Sequence, residues 1–225
     1  MRAHILQHTS STTPGSTIEW LRSEKIPFTV TQFFEPNAIL PDLSSFDFLI
    51  ICGGEMNVDE ENKYPWLRAE KEFIKSALEK NKKVIGLCLG GQLMAEALGA
   101  KVGKHKTWEA GWWLVQLKSF PQQKVPFVSE LSVFQFHGYS FETPKDAFNF
   151  ASSEACEHQG FLWGSSAIGL QFHPESTPEW VLECAHEKHP LGSFVQSASQ
   201  MIEGNINQPM LQNWYFALLK FLKNS

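Results

Sequence analysis

The stretch Val84-Ile-Gly-Leu-Cys-Leu-Gly-Gly-Gln-Leu-Met-Ala-Glu-Ala-Leu-Gly-Ala100 passes from an apolar, strand-like run into a helix-like one, with Cys88 at the junction and glycines on both sides. A junction of this kind at the carboxyl end of a parallel sheet exposes one side chain while holding it rigidly. Gly86 and Gly90 remove side chains that would crowd the turn, and Gly91 lets the departing helix come close to the strand. The helix that opens after Cys88 aims its first amides and its positive dipole end at the sulfur, which favours negative charge there. Taken alone, Cys88 reads equally well as a small buried hydrophobe. The glycines do not form a phosphate cradle, because Gly86 to Gln92 matches neither G-x-G-x-x-G nor G-x-x-x-x-G-K-[ST].

Outward from this stretch the chain alternates strand and helix patterns. His4 to His8 is a short apolar run, and a turn-rich cluster follows it. A helical pattern then carries Ile18, Trp20 and Leu21, with Ser16 as the expected cap. Ile26–Phe34 and Phe46–Gly54 read as strands, and residues 65–81 as an amphipathic helix with Trp66, Phe73, Ile74, Ala77 and Leu78 on one face. The pattern implies an α/β fold, an open and mainly parallel sheet between helices in a flavodoxin-like three-layer arrangement. The middle changes character. Gly111–Leu117, Ser132–Phe141, Phe148–Ser153 and Ala167–His173 are strand-like with little helix between them, and are expected to extend the sheet in antiparallel fashion. Helical spacing returns after Thr177, a cap followed by Pro178, and at Gln208–Asn224, where Trp214, Leu218, Leu219 and Phe221 form an apolar stripe expected to face the core. Residues 1–190 are expected to form one domain, with 191–225 a helical extension packed on it.

Composition narrows the function classes. The 225 residues are 43% hydrophobic and 19% charged, with a formal net charge of -5 and no run of Lys or Arg. Neither nucleic acid nor an anionic membrane is an expected partner, and a small molecule is. The first eight residues are too short and polar for a signal peptide, and no apolar run approaches the roughly 18 residues of a bilayer span. Cys52, Cys88, Cys156 and Cys184 then read as reduced thiols of a cytoplasmic protein. Cys156-x-His158 and Cys184-x-His186-x-x-His189 lack the paired C-x-x-C spacing of structural zinc sites, so no metal and no cofactor is expected.

A cysteine nucleophile needs a base. In Gly169-Leu-Gln-Phe-His-Pro-Glu175 a histidine ends a strand-like run, with a carboxylate two residues later. In extended chain residues i and i+2 share a side, so Glu175 can fix the tautomer of His173 and stabilise its charged form, the logic of a Cys-His-acid triad. A lone histidine at a strand end is otherwise a satisfied structural residue.

Gly86 to Gln92 matches the G-x-C-x-G-x-Q signature of class I glutamine amidotransferases, and Gly169–Glu175 matches their His-x-Glu signature in the expected order and distance. The chain resembles this family, in its stand-alone GMP-synthase-like branch, from about Phe46 to Glu175. The resemblance implies that Cys88 attacks the glutamine side-chain amide, that His173 protonates the departing ammonia, and that water hydrolyses a γ-glutamyl thioester while Glu175 orients His173. It also implies an oxyanion hole from the backbone amides of Gly54 and Leu89, and contacts to the amino-acid end of the substrate from Gln92, His137, Gly138 and Tyr139. Glu55 and Tyr139 depart from the family pattern, which usually has Pro and, in this branch, Asp. No nucleotide signature follows in the about fifty residues beyond Glu175, so ammonia would go to a separate synthase partner. The alternatives are a self-sufficient hydrolase of γ-glutamyl compounds and a catalytically silent binding module.

Overall fold

The structure, a computed structural model, describes residues 1–120 and 128–225. Its described strands join in one sheet of nine, in the order β2-β1-β3-β4-β9-β8-β7-β5-β6. β1 (Ala3–Gln7), β2 (Phe28–Gln32), β3 (Phe48–Ile51), β4 (Lys83–Leu87) and β9 (Ala167–Leu170) run parallel. β5 (Val102–Leu117), β6 (Glu130–Phe141), β7 (Ala147–Ser153) and β8 (Gly160–Trp163) continue the sheet antiparallel from the β9 edge. This is the α/β architecture expected from the alternation, a mainly parallel sheet with an antiparallel extension.

Side chains on the strands alternate between two cores because successive residues face opposite sides of a sheet. Ile5, Phe48, Ile50, Ile85 and Leu87 pack on one face with Trp20 and Leu21 of α1 (Ser16–Ser23), Val181 and Cys184 of α4 (Pro178–His186) and the buried stripe of α6 (Gln208–Asn224). Leu6, Leu49, Ile51 and Val84 pack on the other with Leu67, Ile74 and Leu78 of α2 (Trp66–Glu79) and Leu93 and Met94 of α3 (Leu89–Ala97). Both faces of the parallel region are covered, which is why its strands read as continuous apolar runs. The short α5 (Ala198–Glu203) opens on a capping box, in which Ser197 and Gln200 satisfy each other's backbone amides.

Four local expectations are revised. Ala167–Leu170 is not part of the antiparallel section, since β9 is the last parallel strand and pairs with β4 through Val84↔Ala167 to Leu87↔Leu170. Gly160–Trp163, not distinguished as a strand from sequence, pairs with both β7 and β9. β5 begins at Val102, well before Gly111, and its pairing with β6 is broken by an irregularity between Lys104 and Glu109. Ser16 is not the cap of α1. Gly15 takes that position at φ 50°, and the Ser16 amide donates instead to the Glu175 carbonyl at 3.0 Å. Thr177 does cap α4, its hydroxyl accepting from the Trp180 amide at 3.3 Å with Pro178 at the first helical position.

In α6, Leu211, Trp214, Tyr215, Leu218, Leu219, Phe221 and Leu222 are buried in the same core as the central strands, and the Tyr215 hydroxyl bonds Thr17 at 2.9 Å. An element so integrated carries global stability. Leu218→Ala is expected to lower unfolding free energy by roughly 2–5 kcal/mol, read as a lower urea midpoint at unchanged slope.

Candidate active site

Cys88 follows the last residue of β4 and caps α3, at φ 51° and ψ -107°. A left-handed backbone is unfavourable for a residue with a Cβ and persists only where the surroundings over-determine it. The Cys88 amide donates to the Leu170 carbonyl of β9 at 2.8 Å, and its carbonyl accepts from the Gln92 amide at 3.0 Å. The glycines permit the approach: a Cβ on Gly90 would lie 2.3 Å from the Ile51 carbonyl oxygen of β3, and one on Gly91 would lie 2.5 Å from the Leu170 carbonyl oxygen. Gly86 in turn packs on the Gly90 backbone. The glycines therefore set how closely α3 lies on the sheet, whereas the strain of the turn falls on Cys88 itself.

His173 and Glu175 reach the same place from β9. The strand ends at Leu170, three residues short of His173, so the pairing does not come from extended chain; Pro174 and Glu175 form a turn closed by the Ser176 amide on the His173 carbonyl at 3.3 Å. Within that turn His173 Nδ1 lies 2.8 Å from Glu175 Oε1, with both side chains buried. Nδ1 being engaged, Nε2 is the ring nitrogen left free, and His173 and Cys88 line the same cavity. Burial alone would lower the His173 pKa, but the charges of Glu175 and Cys88 and their hydrogen bonds outweigh it and raise it to about 10. The Trp180 ring lies against His173, with centroids 4.7 Å apart.

These groups open onto a cavity of about 320 Å³ lined by Gly54, Glu55, Gln92, Lys104, Trp108, His137, Gly138, Tyr139 and Trp180, among others. Gly54 lies on the loop after β3, and Leu89 is the first residue of α3, whose initial amides have no intrahelical acceptor. Gln92 spends its amide hydrogens on the Tyr139 carbonyl (3.1 Å) and Gln171 Oε1 (3.2 Å), which leaves its own carbonyl as the group able to meet a ligand. His137 is held through one ring nitrogen: Nδ1 is 2.9 Å from the Tyr139 carbonyl, while Nε2 lies 3.1 Å from the buried Glu109 without the alignment of a hydrogen bond. It therefore braces the wall formed by Gly138 and Tyr139.

Two residues of the site are not singled out by the sequence pattern. One is Gln171, whose amide donates to the Cys88 sulfur at 3.7 Å; the other is Trp108, whose indole lies where a Gly138 Cβ would stand, 2.3 Å from its Nε1. A polar residue inside the apolar run before His173 is the available signal for Gln171. The remaining thiols are a different population. Burial raises those of Cys52 and Cys184, and that of Cys156 to about 11, leaving them inert. Among the described residues no three His, Cys, Asp or Glu side chains group to hold a metal ion, and no helix is long and apolar enough to cross a membrane.

The profile of the family described as glutamine amidotransferase class-I matches residues 12–181. The chain belongs to the class I glutamine amidotransferases. It is 29% identical over 228 residues to the glutamine amidotransferase-like protein YfeJ of Salmonella typhimurium, covering 96% of this chain and 95% of that one. It is 32% identical over 136 residues to a glutamine-hydrolyzing GMP synthase subunit of Thermoplasma acidophilum, covering 60% of this chain and 66% of that one. A solved glutamine amido transferase from Methylobacillus flagellatus superposes with a TM-score of 0.92 at 27% identity, covering 99% of this chain and 94% of that one. A glutamine amidotransferase from Thermotoga maritima does so with a TM-score of 0.87 at 28% identity, covering 100% and 99%.

The raised His173 pKa has a signed consequence. The histidine–carboxylate attraction contributes fully below the unfolded value of 6.5 and is lost as pH rises through about 10. The stability advantage of wild type over Glu175→Gln is expected to shrink as denaturant titrations move from pH 6.5 to pH 10.

Proposed function

We propose that this protein hydrolyses the side-chain amide of glutamine through Cys88, His173 and Glu175, and that the ammonia is delivered to a separate synthase. The observation that carries the reading is the convergence of a cysteine on a strained strand–helix elbow with a buried, carboxylate-held imidazole at one cavity. The Cys88 thiol gives its proton to His173, the sulfur attacks the carboxamide carbon, and the carbonyl π electrons move onto oxygen. That oxyanion is met by the backbone amides of Gly54 and Leu89. As the tetrahedral intermediate collapses, the C–N bond breaks and His173 gives its proton to the departing ammonia, leaving a γ-glutamyl thioester on Cys88. Water then attacks the thioester carbonyl while His173 takes its proton; the C–S bond breaks, the proton passes from His173 to the departing sulfur, and glutamate leaves with the thiol restored. Glu175 keeps the imidazole in one tautomer and stabilises its charged form.

The raised pKa of His173 supports its part in this cycle, because a proton retained past neutrality is available to the leaving group. The Gln92 carbonyl suits the substrate α-ammonium, and the Gly138–Tyr139 wall closes the amino-acid end. The four unpaired cysteines support a reducing, cytoplasmic setting. No cofactor takes part in the cycle.

A second reading, a self-sufficient γ-glutamyl hydrolase, is favoured by one observation. Glu55, Lys104, Glu187 and Lys188 line the cavity beyond the Cys88 region, offering charged contacts to a leaving group larger than ammonia. Comparing kcat/KM for glutamine and a set of γ-glutamyl dipeptides separates the two.

For either reading, Cys88→Ala is expected to reduce glutamate release at least about a thousandfold, and acid-quenched wild type is expected to carry a γ-glutamyl adduct on Cys88 by mass spectrometry. A wild type with no turnover and no adduct would leave a binding module.

A further inference from the structure

A second buried histidine–glutamate pair lies just outside these three residues. His8, immediately after β1, and Glu70 of α2 have fully buried side chains, with His8 Nε2 2.8 Å from Glu70 Oε1. The other ring nitrogen, Nδ1, lies 2.9 Å from the carbonyl oxygen of Gly53. A carboxylate and a carbonyl can only accept, so an imidazole shared between them carries a proton on each nitrogen. Burial opposes that charge, but the attraction of Glu70 and the hydrogen bonds overcome it and raise the His8 pKa. The ring is also stacked near Phe33 and Trp66, at 5.6 Å from each centroid. Isosteric apolar residues would fill the same space without the cost of desolvating two charges.

The location of the accepted carbonyl suggests what the pair does. The Gly53 carbonyl and the Gly54 N–H belong to one planar trans peptide and therefore point in opposite directions. His8 grips the carbonyl and does not line the cavity, whereas Gly54 does. Gly53 is pressed against the reacting groups: a Cβ on it would lie 2.8 Å from His173 Cε1 and 3.6 Å from the Cys88 Cβ. Between two glycines a peptide plane has little intrinsic rotational preference, so its orientation must be imposed from outside. A charge-assisted hydrogen bond is about twice as strong as a neutral one, and by polarising the peptide it also makes the opposite N–H a better donor.

We propose that His8, held by Glu70, is a positioning residue that fixes the Gly53–Gly54 peptide so that the Gly54 N–H is presented to the oxyanion formed at Cys88. The proposal rests on the amide-hydrolysis reading above and adds the device that keeps its oxyanion donor aimed. Three elements far apart in sequence, the end of β1, the loop after β3 and the inner face of α2, meet at this one peptide.

The test compares the full-length wild type, the double variant His8→Phe/Glu70→Leu, and Glu70→Gln. The double variant keeps an aromatic ring beside Phe33 and Trp66 and leaves no unpaired charge. Its kcat for glutamine is expected to fall about 10–100-fold, less than or comparable to removal of an oxyanion donor outright, with KM within threefold of wild type. Alkylation of Cys88 by iodoacetamide, a displacement at saturated carbon that forms no oxyanion, should stay within twofold. In Glu70→Gln a neutral His8 still donates through Nδ1 while its Nε2 accepts from the amide, so kcat should remain within fivefold. Wild-type kcat in the double variant, loss of alkylation together with turnover, or an equal loss in Glu70→Gln would each overturn the proposal. Failure of the underlying reading looks different: wild type would be indistinguishable from Cys88→Ala.

Discussion

Everything in this structure depends on how closely α3 lies on the sheet. A cysteine can occupy a left-handed backbone at the end of β4 only because its amide is tied to the neighbouring β9 and because the first turn of the helix touches β3 and β9 backbone through glycine. The contact is too tight for any other residue at Gly90 or Gly91, and it fixes the sulfur relative to two strands at once. The His173 turn springs from one of those strands and the Gly53–Gly54 loop from the other. Cys88, His173 and the Gly53–Gly54 loop thus share one frame whose dimensions are set by backbone contacts rather than by flexible side chains.

Around that frame the polar groups form a graded network. Gln92 links the Tyr139 carbonyl to Gln171, and Gln171 reaches the Cys88 sulfur, so the wall of the cavity and that sulfur are joined by side-chain amides. Glu109, fully buried, collects Ser153, Gln159 and His137 and so anchors β5 to β6 and β7 behind the wall. The bonds of Ser153 and Gln159 to Glu109 satisfy a buried carboxylate that would be costly unpaired.

The site is more legible in the sequence than the sheet is. Cys88 alone reads equally well as a buried hydrophobe and His173 as a structural histidine; the two short signatures taken together single them out, and the fold brings Cys88, His173 and Glu175 to one place through a turn rather than through extended chain. β9 escapes correct placement because its apolar residues say that it is buried without saying which strand lies beside it. Ser16 reads as a cap because the sequence cannot show that Gly15 turns to φ 50° and opens the helix one residue earlier. Glu70 is hidden for a related reason: in an amphipathic helix a carboxylate between apolar positions reads as solvent-facing, and only the fold reveals that His8 waits on the inner side. Gln171 is concealed in the same way, one polar residue within a run read for its hydrophobicity.

The order of strands has one further consequence. β4 and β9 are adjacent and parallel, yet all four antiparallel strands lie between them in the chain and stand together on one side of β9. The chain leaves the frame after Cys88, builds the Gly138–Tyr139 wall of the cavity, and returns with His173 and Glu175. That excursion is not separable from the frame: the Phe134 carbonyl of β6 accepts from the His173 amide at 2.9 Å, so one of the strands that build the wall also seats His173 beside Cys88. A change in the length or register of β6 would therefore be felt at His173 as well as at the Gly138–Tyr139 wall, and the cavity and the buried imidazole are constrained to vary together.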